Sequence, residues 1–290
     1  MPFSVSRLLT ACFFISMALP SSSNDDSSGI DPAATLLVDD GGTDPTAMEI
    51  TVADEDTLDE SLSDVAELFS PPRLCARAAR FGLVPGFSHD LRTQMDLSTF
   101  EGRARSWSEL CSTKPKVLVA SPPCTWFSTM QNLNKGHYSE DVWARREQLA
   151  MSELSCAALC CKLQYTDGRG FIFEHPWTAT SWHRAPLVEL AALDGVASID
   201  FDQCSTGLVG PNGQSIKKRT KLLTNVPGVI VRFSAHQCSC TTGHLPIEGS
   251  CLGIQLSRYC QVYTPRLCEE LLLSISDYVH GHPSAPINVD

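Results

Sequence analysis

Between Arg7 and Arg73 the sequence contains no lysine or arginine, yet 14 aspartates and glutamates fall there. The chain as a whole carries a formal charge of -11. From Arg73 onward, 21 basic residues stand against 19 acidic ones, so the acidity belongs to the N-terminal part. A near-neutral remainder neither demands nor forbids nucleic acid, because binding needs a local basic groove and not a basic total. Long hydrophobic runs are also missing. The longest, residues 8–19, is too short to cross a bilayer, so no membrane span is expected. Arg7 ahead of it, with Pro20 and three serines behind, gives residues 1–23 the layout of a secretory signal peptide; a chance apolar start is the other reading. Residues 20–62 have no aromatic and are rich in Ser, Asp, Gly and Pro. Such a segment cannot bury enough surface to offset the entropy of ordering, so a disordered acidic tail is expected over 24–62. There is no internal repeat. The 13 cysteines show no repeating spacing, and an odd count leaves one thiol over, which favours reduced thiols over a disulfide framework.

The rest of the chain, residues 63–290, is apolar enough for a real core. Residues 65–69 read as a strand, 74–81 as a helix and 86–90 as the end of a second strand. The run Lys-Val-Leu-Val-Ala at 116–120 reads as a buried parallel strand. Ser139 with two acids behind it opens a helix that continues to about residue 164. Further strands are expected at 170–173, 197–201 and 221–224. A proline-initiated helix is expected over 265–278. Strands alternating with helices imply an α/β fold, with a mostly parallel sheet and helices on both faces.

In such sheets the functional residues sit past the carboxyl ends of strands. Four unusual segments fall there. Ser121-Pro122-Pro123-Cys124-Thr125-Trp126-Phe127-Ser128 follows the 116–120 strand. Glu174-His175-Pro176 follows the 170–173 strand. Asp202-Gln203-Cys204 follows the 197–201 strand. Lys217-Lys218-Arg219-Thr220 leads into Leu222-Leu223-Thr224-Asn225. Two prolines stiffen the loop that carries Cys124, and a lysine or arginine nearby would lower its thiol pKa and favour the nucleophilic thiolate.

Together these segments resemble the DNA cytosine-C5 methyltransferases, and most closely the divergent members of phages and mobile elements. The resemblance rests on Pro123-Cys124 followed by Phe127-Ser128, on Glu174-His175-Pro176, on Lys217-Lys218-Arg219-Thr220, and on Cys204-Ser-Thr-Gly207 ahead of Thr224-Asn225. It implies a Rossmann-like, S-adenosylmethionine-dependent methyltransferase fold. It also implies nucleic acid as partner, DNA before RNA, and an intracellular, nuclear location. Cys124 would then be the nucleophile, Glu174 the group that holds the N3 edge of cytosine, and Lys218 or Arg219 the cation that orients base and carboxylate. Phe69, Arg73, Asp90 and Pro122 would line the cofactor site. Two departures stand out. Where the family has glycines after its first strand, this chain has Pro71 and Arg73. Proline removes a backbone donor, which implies weaker cofactor binding, with Arg73 pairing with the cofactor carboxylate in compensation. After Asn225 too little chain remains for a large target-recognition domain.

Two other readings stand beside the enzyme. One is a catalytically inactive nucleic-acid-binding relic of a mobile element, favoured by Pro71 and Arg73. The other is an exported disulfide-containing protein, favoured by the N-terminus and the cysteine count. Cys238, Cys240, His244 and Cys251 are residue types that bind zinc, but their spacing matches no standard zinc motif, and reduced or buried thiols without a metal are expected there.

Overall fold

A computed structural model describes residues 63–282, so the expectations for residues 1–23 and 24–62 lie outside the described residues. Six strands form the sheet: β1 (Val65–Leu68), β2 (Pro85–His89), β3 (Val117–Ala120), β4 (Gly170–Pro176), β5 (Ala197–Asp202) and β6 (Arg219–Thr224). Their order is β2-β1-β3-β4-β6-β5. The pairs β1–β2, β1–β3 and β3–β4 are parallel, whereas β6 runs antiparallel to both β4 and β5. Every residue of β1 and β3 is buried, as a strand covered on both faces requires.

Helices cover both faces. Helices α1 (Phe100–Thr113), α2 (Glu140–Thr166) and α3 (Ala185–Ala191) pack on one side, where Trp107, Leu154 and Leu187 meet Ala66, Leu118 and Phe173. Helices α4 (Pro227–Phe233) and α5 (Pro265–His280) pack on the other, where Phe233, Leu267 and Leu271 meet Val65, Val117 and Ile172. Thr264 caps α5 by accepting from the Leu267 amide at 3.1 Å, and Pro265 occupies its first turn. Among the described residues, no helix is long and apolar enough to cross a membrane.

The expected α/β architecture is what forms, with local differences. The helix expected at 74–81 is reduced to a 3₁₀ turn, Ala78–Phe81. The Glu67 carboxylate accepts the amides of Arg73, Leu74 and Cys75, and the segment then closes through i→i+3 bonds, Arg77 N–H to Leu74 O at 2.9 Å and Ala78 N–H to Cys75 O at 3.3 Å. Strand β1 stops at Leu68, because Phe69 adopts a left-handed backbone with φ 60°. Strand β4 continues through Glu174, His175 and Pro176, which are strand residues and not a following loop. Thr224 and Asn225 serve the sheet itself. Asn225 Oδ1 accepts from the Phe171 amide at 2.8 Å and Asn225 Nδ2 donates to Arg169 O at 2.9 Å, tying the end of β6 to the start of β4. Helix α1 was not expected; it carries a glycine and three serines, which are weak helix formers, and is held by packing.

Candidate functional site at the switch point of the sheet

The chain leaves β1 toward β2 on one side and returns to β3 on the other. The carboxyl ends of β1 and β3 therefore flank the topological switch point, where open α/β sheets form their ligand crevice. Ser121 N–H donates to Leu68 O at 3.0 Å and Ser70 N–H donates to His89 O at 3.2 Å. These bonds set the loops after β1, β2 and β3 side by side. Phe69, Asp90 and Pro122 belong to those three loops; Phe69 and Asp90 are half-buried and Pro122 is buried.

Cys124 follows the two prolines and opens the 3₁₀ turn Thr125–Phe127. Burial pushes its thiol above the ordinary value, the Lys218 ammonium opposes that, and the Glu174 carboxylate adds to it. Cys124, Lys218 and Glu174 are thus within electrostatic reach of one another. Lys218 Nζ lies 3.9 Å from Glu174 Oε1 and donates to Cys260 O at 3.1 Å. Glu174 is buried, and its Oε1 atom has no hydrogen-bond partner. A buried carboxylate oxygen without a donor is costly, on the order of 1–3 kcal/mol or more for a charged group. Such an atom marks a place where a ligand donor would fit.

Arg219 is not part of this group. Its guanidinium pairs with Asp200 and lies over the Trp177 ring, 4.5 Å from the centroid. Of the two cations expected to orient the base, only Lys218 reaches Glu174. Arg73 is also turned away from the crevice floor. Its guanidinium donates to Gln261 O at 2.7 Å and sits 5.2 Å from the Tyr263 ring centroid.

The loop after β1 is built around Glu67. This fully buried carboxylate accepts the amides of Arg73, Leu74 and Cys75 on Oε2, each at 2.9 Å, and the Ser70 hydroxyl on Oε1 at 3.0 Å. Desolvation raises its pKa, against the pull of those bonds. Phe69 holds a left-handed backbone at the lip of the same loop, a conformation that is strained for an aromatic residue and tends to occur at functional positions. Asp90 caps the turn after β2 by accepting from the Arg92 amide at 2.9 Å.

Two residues that were given no role from the sequence, one of them within the Glu174-His175-Pro176 motif, hold the loops together. His175 is completely buried; its Nε2 lies 2.9 Å from Pro122 O and its Nδ1 2.7 Å from Ser181 Oγ. Burial pushes its pKa down to about 4. The neutral ring donates from Nε2 to the Pro122 carbonyl and accepts the Ser181 hydroxyl at Nδ1. It fixes the loop that carries Cys124. Tyr263, just ahead of α5, bonds Ser121 Oγ at 2.7 Å. The segment 260–263 therefore draws Lys218, Arg73 and Ser121 together. Neither residue could be given this role from sequence, since Pro122 lies 53 positions from His175 and Ser121 lies 142 from Tyr263.

Beside the Cys124 loop lies an open groove lined by Thr129, Trp177, Trp182, His183 and Lys221. Lys221 Nζ sits 5.1 Å from the Trp182 ring centroid. Thr180 Oγ1 donates to Phe127 O at 3.2 Å and joins the groove wall to the turn after Cys124. Cys251 lies in a separate small core with Leu208, Ile216 and Leu256. Among the described residues, no cysteine pair forms a disulfide. Comparison of the sequence with protein-family models and with curated proteins returned no match.

Proposed function

We propose that this chain is an S-adenosylmethionine-dependent methyltransferase that acts on C5 of cytosine in nucleic acid, with Cys124 as nucleophile. The observation that carries the reading is the buried Glu174 oxygen without a hydrogen-bond partner, 3.9 Å from Lys218 Nζ, with both charges acting on the Cys124 thiol. Cytosine presents a matching edge. When Glu174 is protonated it donates to N3, and when ionised it accepts from the N4 amino group.

In this reading the Cys124 thiol gives its proton to solvent, the Lys218 ammonium stabilises the thiolate that remains, and the thiolate forms a bond to C6 of the ring. The electron pair of the C5–C6 double bond moves toward C5, and Glu174 supports the charge that builds on the N3 side. The cofactor, when bound, supplies an electrophilic methyl group. With the cofactor in place its methyl would pass to C5 and the demethylated cofactor would leave; loss of the C5 proton to solvent and cleavage of the C6–sulfur bond would then restore both the aromatic ring and the Cys124 thiolate. Asp90 would hold the ribose hydroxyls and the Phe69 ring the adenine. The prolyl loop sets the sulfur at the switch point with little freedom, which lowers the entropy of attack. The groove with Trp177, Trp182 and Lys221 offers aromatic faces and cations of the kind that grip single-stranded or flipped bases.

One feature favours the alternative, a catalytically inactive nucleic-acid-binding domain. The amides of Arg73, Leu74 and Cys75 are spent on Glu67, Pro71 has none, and Arg73 is held by Gln261. A methyl-transfer assay with labelled S-adenosylmethionine, using single-stranded and duplex cytosine oligonucleotides, separates the two readings. Label in C5-methylcytosine that vanishes in Cys124→Ala, and falls by roughly 10²–10⁴-fold in Glu174→Gln, supports the enzyme. Oligonucleotide binding without transfer supports the relic.

A further inference from the structure

The turn after β5 and the loop after α4 bring a second set of reactive side chains together. The Sγ atoms of Cys204, Cys238 and Cys240 and a ring nitrogen of His244 all lie within 4.8 Å of one another. Cys238 Sγ is 3.4 Å from His244 Nε2. A tetrahedral zinc ion with Zn–S of about 2.3 Å holds its sulfurs roughly 3.8 Å apart, and a sulfur and an imidazole nitrogen about 3.5 Å apart. The cluster already has nearly those dimensions. We propose that it is a structural zinc site with Cys204, Cys238, Cys240 and His244 as its four ligands.

Three observations support this over a chance gathering of thiols. First, the donor set is three sulfurs and one imidazole, which suits zinc and does not suit calcium or magnesium. A disulfide would use two of the thiols and leave the third and the imidazole unexplained. Second, the loop is held in place from outside. The Cys238 amide donates to Asp202 Oδ2 at 3.1 Å, Gln214 Nε2 donates to Gly243 O at 3.0 Å, and the Leu245 amide donates to Ser215 O at 2.8 Å. Third, this part of the chain has little else to hold it. Its core comprises only Leu208, Ile216, Leu256 and Cys260, with Leu245, Ile247 and Cys251 packed against them. A cluster that small needs a staple, and structural zinc is a common one. Cys251 belongs to that core as a small apolar side chain, and Cys204 from the end of β5 takes the ligand position.

The site also has a consequence for the crevice. The Gln203 amide donates to Lys218 O at 3.0 Å, and Lys217 Nζ lies 3.7 Å from Asp202 Oδ2. The turn that carries Cys204 is therefore bonded to the segment that presents Lys218. Zinc would brace Lys218 without touching it. The metal site does not depend on methyl transfer and stands or falls separately.

The test uses the full chain, purified with zinc, followed by metal analysis and replacement by cobalt(II). The expected result is one tightly held equivalent, with the visible bands of tetrahedral cobalt and the near-ultraviolet thiolate charge-transfer band. Cys204→Ala, Cys238→Ala, Cys240→Ala and His244→Ala should each lose the metal, while Cys251→Ala should keep it. Stripping zinc from the wild type should lower its melting temperature and speed hydrogen exchange at residues 203–218. If the alanine variants do not fold, the wild-type cobalt spectrum still decides. Well-folded wild-type protein without stoichiometric metal, an octahedral oxygen-type spectrum, or loss of metal in Cys251→Ala with retention in Cys204→Ala would each overturn the site.

Discussion

At the scale of single residues, the site depends on which groups are buried and what faces them. Cys124 and Glu174 stand out in the sequence because each follows an apolar run that reads as a strand, although β4 continues through Glu174. Lys218 and Arg219 could not be told apart, because neighbouring residues at a strand start point to opposite sides. The structure turns Arg219 to Asp200 and Trp177, and Lys218 to Glu174. His175 could not be recognised, since its partners Pro122 and Ser181 come together only in the fold. It gives a direct pH prediction. Its folded pKa of about 4 lies below the ordinary 6.5. Between those values the unfolded chain takes up a proton that the folded chain does not. Stability should therefore be unaffected by His175 above about pH 6.5, and fall as pH drops from there toward 4, by at most about 1.4 kcal/mol per pH unit. Denaturant titrations from about pH 7 to pH 4.5 should show that slope in the wild type and a shallower one in His175→Gln. The variant should also be about 1–3 kcal/mol less stable at neutral pH, because the Pro122 and Ser181 bonds are disturbed. Equal slopes in the two proteins would show that His175 is not the titrating group.

At the scale of elements, the alternation of strands and helices was readable, and all six strand positions were expected from it. The sixth, β6, was readable as a strand but not as antiparallel, because direction is set by the path of the chain between β5 and β4. The helix expected at 74–81 failed for a local reason. Glu67 gathers the amides of Arg73, Leu74 and Cys75, and the residues that follow close in i→i+3 turns, Arg77 N–H on Leu74 O and Ala78 N–H on Cys75 O. A strand glutamate buried in this way looks from sequence like any acidic residue. The loop after β1 should consequently depend on this one side chain. Glu67→Gln keeps an oxygen for the three amides and should cost about 1–3 kcal/mol. Glu67→Ala strands three buried donors and should cost more than about 4 kcal/mol. Thermal or chemical unfolding of the two variants measures the difference. Near-identical stability of wild type and Glu67→Ala would show that the loop does not rest on this carboxylate.

At the scale of the whole molecule, a mostly parallel sheet with its switch point between β1 and β3 sets the loops after β1, β2 and β3 side by side. The alternating pattern made that architecture legible. The cross-links that complete it were not, because Tyr263 meets Ser121, and Cys204 meets Cys238, across long stretches of chain. The small core under residues 208–260 and the sheet core are separate clusters, joined near Lys218. In the proposed reaction Cys124 attacks cytosine while Glu174 holds its edge. The most direct measurement is mass spectrometry of the full chain after incubation with S-adenosylmethionine and an oligonucleotide containing 5-fluorocytosine, whose fluorine cannot leave as a proton does. The expected result is a covalent protein–oligonucleotide adduct that maps to Cys124, is absent in Cys124→Ala, and is strongly reduced in Glu174→Gln. An oligonucleotide that binds with cofactor present yet forms no adduct, or an adduct on another cysteine, would contradict it.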